Sequence, residues 1–191
     1  MKEIYLMRHG AQSVVDKDSA WDPEAPLTPE GTLVIKRVTA AHLRRMFQVY
    51  GSSPLRRAME TLNVVAAAQQ IPHLAQRATF REMAALGPDI AEWDQAVAIR
   101  APKNVQEVHE YHPGLFRSEG AKIFGAMKKI ATQLTDDEAA LFVSHQPLVE
   151  AAAAFATQTY PPVYELKKGE ILVFTFEGGV LAKIEHLPLP E

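Results

Sequence analysis

An unbroken apolar run near the start of the chain, Ile4-Tyr5-Leu6-Met7, ends at Arg8-His9-Gly10. A short run of this kind, bounded by charge and glycine, reads as a strand buried on both faces, as at the centre of a parallel sheet. Parallel neighbours need crossover connections, so the feature commits the chain to alternating strands and helices. Ala139–Val143 repeats the pattern, with Ser144-His145 directly after it. Ligands of open α/β sheets bind beyond the carboxyl ends of the strands. Arg8, His9 and His145 therefore stand where a site is expected.

The rest of the chain fits this alternation. Thr28-Pro29-Glu30 is a helix start, with Thr28 as N-cap and Pro29 in the first helical position. Leu33, Val34, Val38, Ala41, Leu43 and Phe47 then recur at helical spacing over roughly five turns. Phe47–Tyr50 reads as a short strand. Ser53-Pro54 opens a second helix that carries Leu55, Met59, Leu62, Val65 and Ala66 on one face and runs to Gln70. Leu74–Phe80 is a further short strand. Residues 84–112 contain Gly87-Pro88, Ala101-Pro102 and His112-Pro113, which predict a short helix plus loops. Residues 115–134 form another amphipathic helix, and Pro147 starts one through Ala151–Phe155. Residues 170–176 and 180–187 alternate around Gly178-Gly179 and predict a hairpin. The expected fold is a three-layer α/β/α sandwich with a mostly parallel, partly mixed sheet, in a single domain spanning residues 1–191.

Composition removes several classes of function. The formal net charge of −3 argues against a nucleic-acid binder and makes any anion site a local feature. The absence of cysteine removes disulfides, thiolate-ligated metals and every thiolate nucleophile. No apolar stretch reaches the length of a membrane span, and the N-terminal run is too short for a signal peptide, so a cytoplasmic protein without membrane partners is expected. His109-Glu110-Tyr111-His112, followed by Pro113, reads as an exposed loop rather than a metal pair.

Three segments carry the chemistry: Arg8-His9-Gly10, Ser52-Ser53-Pro54-Leu55-Arg56-Arg57-Ala58 and Val143-Ser144-His145-Gln146-Pro147. Each lies at the end of an apolar run or the start of the next helix, so a parallel sheet gathers them on one edge. Two guanidiniums offer forked donors that match phosphoryl oxygens, a second imidazole adds a donor, and nearby helix N-termini add positive potential. His9 must be neutral to attack phosphorus, and neighbouring Arg8 and Arg57 disfavour its protonated form.

Together the segments resemble the histidine phosphatase (phosphoglycerate mutase-like) superfamily, and are most similar to the small bacterial phosphohistidine phosphatases. The resemblance implies a covalent phosphohistidine on His9, hydrolysed by water, with no cofactor and no metal. It assigns the phosphate clamp to Arg57, the residue before Ala58, and leaves Arg56 as a surface residue. Arg8, Arg57 and His145 are the expected phosphate-binding groups. Ser13, in the loop after His9, and Gln146, through its backbone N–H, are added as further contacts. A leaving alkoxide needs a proton, and Phe80-Arg81-Glu82-Met83-Ala84-Ala85-Leu86-Gly87 resembles the family pattern that supplies an acid there, one residue longer. Glu82 is the candidate general acid, with Asp89 and Glu92 as rivals. The expected activity is metal-independent hydrolysis of a phosphomonoester or phosphohistidine, with a phosphorylated small molecule or a phosphohistidine protein as partner. Mutase-type phosphoryl transfer and a non-catalytic phospho-ligand module are the alternatives. Residues 90–120 have no counterpart in the resemblance and are expected to form part of a substrate lid.

Overall fold

The computed structural model describes residues 1–13, 22, 24–71, 79–82, 86–100 and 102–191. The elements run β1 (Lys2–Arg8), α1 (Pro29–His42), β2 (Val49–Ser52), α2 (Arg56–Ala68), β3 (Thr79–Glu82), α3 (Ile90–Ile99), α4 (Val105–Tyr111), α5 (Pro113–Ala131), β4 (Ala139–Ser144), α6 (Leu148–Thr157), β5 (Ile171–Glu177) and β6 (Val180–Leu187). The strands form one six-stranded sheet in the order β3-β2-β4-β1-β5-β6. Pairing is parallel from β3 through β1, with Arg8 opposite Ser144, Ser52 opposite Val143 and Glu82 opposite Ser52. β5 runs antiparallel to β1, and β6 antiparallel to β5. The expected mixed α/β/α fold is therefore present.

Alternation along the strands sorts the core into two layers. Ile4, Leu6, Ala140 and Phe142 pack against Trp93 of α3, Val105 and Val108 of α4, Phe116 and Ile123 of α5, and Leu148 of α6. Met7, Tyr50, Leu141 and Val143 pack against Ile35 and Val38 of α1 and Leu62 and Val65 of α2. The helix following β1 thus covers one face, while the helix following neighbouring β4 covers the other. Adjacent parallel strands whose crossovers diverge in this way open a crevice at their carboxyl ends. Because β5 is antiparallel to β1, its start and the preceding residues 166–170 reach the same edge.

Local sequence explains most of the boundaries. The Thr28 hydroxyl accepts from the Gly31 N–H at 2.9 Å, and Pro29 occupies the first helical position, as expected for α1. α1 is shorter than its apolar periodicity suggests, because Leu43 already leaves helical geometry and is buried as its C-cap. Leu33 and Met59, read as core positions, are exposed. β2 starts two residues later than expected, and α2 starts at Arg56, after Pro54. The Leu74–Phe80 strand is represented by Thr79–Glu82, and residues 72–78 lie outside the described set.

The largest departure lies in residues 84–112, where two helices replace a short helix plus loops. Asp89 caps α3 by accepting from the Glu92 N–H, and Asn104 caps α4 by accepting from the Glu107 N–H. Pro88 and Pro102 precede helices and Pro113 opens α5, so none of them interrupts one. His109 accordingly sits on α4, stacked on Tyr160 with ring centroids 5.2 Å apart, and not in an exposed loop. Between α5 and α6 the close approach depends on Gly120, where a Cβ would lie 2.3 Å from the Ala151 carbonyl oxygen.

Candidate active site

His9 stands one residue beyond β1 and is buried, with 5% exposure. Its Nδ1 lies 2.7 Å from the Gly10 carbonyl, which can only accept, so Nδ1 carries the proton. Its Nε2 accepts from Arg57 Nε at 3.3 Å and so presents its lone pair on the guanidinium side. The Gly10 peptide is itself held: its N–H donates to the Thr61 hydroxyl at 3.0 Å, and that hydroxyl donates to the Arg57 carbonyl at 2.7 Å. One residue of α2 thus ties together the loop that orients His9 and the backbone of the residue facing it.

Arg57 lies in the first turn of α2, almost fully buried, and its Nη1 also donates to the Asp22 carbonyl at 2.7 Å. Burial lowers its pKa to about 10, with Asp22 opposing the shift, so it stays charged at neutral pH. Arg8, the last residue of β1, donates to the Leu166 carbonyl. Burial lowers its pKa against the pull of Glu150, Glu165 and Glu170. His145 follows β4, is fully buried, and its ring centroid lies 5.0 Å from that of His9. Its Nε2 is hydrogen-bonded to the Ser53 hydroxyl, which also accepts from the Leu55 N–H at 3.2 Å. The four side chains singled out in the sequence, Arg8, His9, Arg57 and His145, meet at one place.

Both imidazoles are held neutral. Desolvation pushes the His9 pKa well below the usual imidazole value, and Arg57, Arg8 and Lys168 push it further, against the Gly10 carbonyl. His145 is shifted the same way by burial and then by His9, Arg57 and Arg8. A neutral Nδ1–H tautomer, with its lone pair on Nε2, is the form of imidazole that attacks an electrophile.

Above this cluster opens a cavity of about 330 Å³. Its floor is Arg8, His9 and Arg57, and its walls include Gln12, Gln146, Lys168 and residues of the α3–α4 region: Trp93, Lys103, Asn104, Val105 and Val108. The segment expected to contribute a lid therefore contributes a wall. Gln146 lines the cavity, and its side chain donates to Glu150 at 3.2 Å. Ser13 is placed differently from expectation: its hydroxyl donates to the Pro26 carbonyl at 3.3 Å, and it is not among the described cavity-lining residues. The isolated antiparallel bridge between Gln12 and Leu27 lies next to it.

For the proton donor, Glu82 ends β3 in register with Ser52, at the correct sheet edge, and its side chain lies outside the described residues. Asp89 is exposed and engaged as the α3 cap, and Glu92 is exposed; neither lines the cavity. Arg56 is on the surface, paired with Glu60 at 2.7 Å. Among the described residues, no group of three His, Cys, Asp or Glu side chains is arranged to hold a metal ion. No described helix is long and apolar enough to cross a membrane.

Sequence reasoning missed four participants. Ser53 was read only as a helix start, although its place after β2 puts it opposite the residues that follow β4. Lys168 lines the cavity because residues 166–170 precede an antiparallel strand next to β1, and that strand order is invisible in the sequence. Thr61 is one turn after Arg57, a spacing that places both on one helix face. Glu150, on α6, is fully buried and accepts from the Leu166 N–H at 2.9 Å. Since Arg8 donates to the carbonyl of that same Leu166, the two side chains grip one residue from both sides. Gly169, which also donates its N–H to the Arg8 carbonyl, adopts φ +95°, a conformation glycine takes without strain.

A cation-floored crevice at the switch point of an α/β sheet, with a neutral imidazole aimed into it, defines a class of phosphoryl-handling proteins. The chain belongs to the histidine phosphatase superfamily (branch 1), whose family model matches residues 4–182. No curated protein matches its sequence. Solved structures share the fold at low identity. The protein histidine phosphatase SixA in complex with tungstate is 18% identical with a TM-score of 0.61, covering 96% of each chain. Phosphoglycerate mutase from Bacillus anthracis is 16% identical with a TM-score of 0.69, covering 97% of this chain and 92% of that one. Phosphoserine phosphatase from Entamoeba histolytica, in complex with 3-phosphoglyceric acid, is 18% identical with a TM-score of 0.64, covering 96% of each.

Proposed function

We propose that this protein is a phosphatase that hydrolyses a phosphomonoester or phosphoramidate through a covalent phosphohistidine on His9. The observation that carries this reading is the His9 ring itself. Its Nδ1 proton is committed to the Gly10 carbonyl and its Nε2 lone pair faces the Arg57 guanidinium. In the first step Nε2 attacks phosphorus, the P–N bond forms, and the bond to the leaving group breaks. Arg8 and Arg57, which line the cavity, stabilise the charge on the outer oxygens of the transferred group, the principal contribution to phosphoryl transfer, and His145, fully buried with its ring 5.0 Å from that of His9, supports them from beneath the lining. The leaving oxygen takes a proton from a carboxylic acid, a role proposed for Glu82 at the end of β3. A phosphoramidate leaves with a protonated nitrogen and depends less on that acid. Water then attacks the phosphohistidine, releasing phosphate and restoring His9. Membership of the histidine phosphatase superfamily supports this class of chemistry.

The test is hydrolysis of p-nitrophenyl phosphate by the protein and by His9→Ala, with rapid acid-free quench of a ³²P-labelled substrate. Turnover by the wild type, its loss in His9→Ala, and a base-stable, acid-labile label on His9 are expected. Phosphate binding without turnover would make the protein a binding module. Transfer of the label to phosphoglycerate in preference to water would make it a mutase.

A further inference from the structure

One fully buried carboxyl stands outside the described cavity lining, in a stretch of chain that is otherwise apolar. Glu150 lies on α6 within the buried run Leu148–Ala154. Burying a carboxyl is costly unless its hydrogen bonds are made. Glu150 makes them through one oxygen. Oε1 accepts from the Leu166 N–H at 2.9 Å and from the Gln146 side chain at 3.2 Å. Oε2, also buried, accepts from no neighbouring residue among those described.

The peptide held in this way is the seat of Arg8. The Arg8 guanidinium donates to the Leu166 carbonyl through Nη1. The main chain of Arg8 is fixed to the same segment: its N–H donates to the Glu170 carbonyl and its carbonyl accepts from the Gly169 N–H, both at 3.0 Å. The next amide is caught by a second buried carboxyl, since the Lys167 N–H donates to Glu170 Oε2 at 2.8 Å. Glu170 belongs to the segment that it closes into a turn. Glu150 comes from α6, the helix that follows His145, so its bond fastens that turn to the helix layer. Fixing an arginine side chain costs rotamer entropy, and a seat prepared before the ligand arrives takes that cost out of binding.

Resting on the phosphatase reading above, we infer that Glu150 is a positioning residue for the reaction: by accepting from the Leu166 N–H it holds the Leu166 carbonyl in place, and through that carbonyl it aims the Arg8 guanidinium at the transferred phosphoryl group. The role belongs to the accepting oxygen and not to the charge. Glutamine keeps that oxygen and places its amide nitrogen where Oε2 makes no bond to a neighbour. Methionine keeps the length of the side chain and loses the acceptor.

The test compares Glu150→Gln with Glu150→Met by kcat/KM on p-nitrophenyl phosphate, each with Arg8 present and in an Arg8→Ala background. Glu150→Met is expected to lose roughly tenfold or more, and Glu150→Gln to stay within about threefold of the wild type. In the Arg8→Ala background Glu150→Met is expected to change kcat/KM by less than about twofold, because the group it positions is gone. A folded Glu150→Met variant with wild-type kcat/KM would overturn the inference. So would a Glu150→Gln variant as impaired as Glu150→Met, because the charge would then be the operative feature. A loss that persists in full without Arg8 would overturn it as well, because it would run through Gln146 or through the fold as a whole. Circular dichroism and denaturant midpoints check folding, and Glu150→Ala replaces Glu150→Met if the latter does not fold. Calorimetric titration of inorganic phosphate into the same variants gives the comparison without turnover. The expected pattern in phosphate binding, in a protein that turns nothing over, would defeat the phosphatase reading alone. Turnover with any of the overturning patterns would defeat this inference alone.

Discussion

At the scale of single residues, the site is a problem of keeping two imidazoles neutral among cations. Burial contributes most to this at both His9 and His145, and Arg57 reinforces it at both. The sign follows directly. A His9 pKa held well below the usual value of about 6.5 leaves the ring unprotonated, hence nucleophilic, as pH falls through that value. Arg57→Ala removes the second-ranked cause of the shift and, on the proposed mechanism, a donor to the phosphoryl oxygens. His9 is expected to titrate closer to pH 6.5 in this variant, read by ¹⁵N NMR of the ring, and kcat/KM is expected to drop by roughly 10²–10³, or about 3–4 kcal/mol. An unmoved His9 titration with full activity would show that Arg57 neither shapes the nucleophile nor clamps the substrate.

At the scale of elements, the sheet was more legible than the helices that wall the cavity. Strand ends announced themselves because apolar runs stop at charged or small polar residues, as at Met7-Arg8 and Val143-Ser144. That is why Arg8, His9 and His145 could be placed from sequence, and Arg57 with them once the family pattern was seen. In the α3–α4 region the Asp89-x-x-Glu92 and Asn104-x-x-Glu107 capping signals prevail over three prolines, so helices stand where loops are expected. Lys168 and Glu150 were illegible for a different reason: their roles arise from which strand lies beside β1, a long-range choice that local pattern does not encode. Helix packing adds a prediction of its own. Gly120→Ala would drive a methyl into the Ala151 carbonyl, forcing α5 away from α6. A loss of about 2–4 kcal/mol in denaturant unfolding is expected, the range of overpacking and backbone displacement in a core. A neutral outcome would show that these helices have room to separate.

At the scale of the whole molecule, the buried titratable groups pull stability in opposite directions with pH. Glu150 is raised to about 7 from an ordinary 4.5, mainly by burial. Its contribution is therefore fully present below about pH 4.5 and is lost as pH rises through about 7. His9 and His145 are lowered, so the unfolded chain takes up protons that the folded chain refuses once pH falls below about 6.5. Glu150→Gln keeps a neutral, hydrogen-bonding side chain at every pH. Relative to wild type it is expected to gain stability between pH 4.5 and pH 8, by a few kcal/mol, measured as the change in the unfolding free-energy difference across that interval. A difference that does not vary with pH would mean that the carboxyl titrates normally.

The grip of Arg8 and Glu150 on Leu166 ties together positions 158 residues apart in the sequence. The Arg8 guanidinium finds its seat, and β5 its place beside β1, only once the intervening polypeptide has been made. A chain truncated before Leu166 carries His9 without the neighbours that desolvate it.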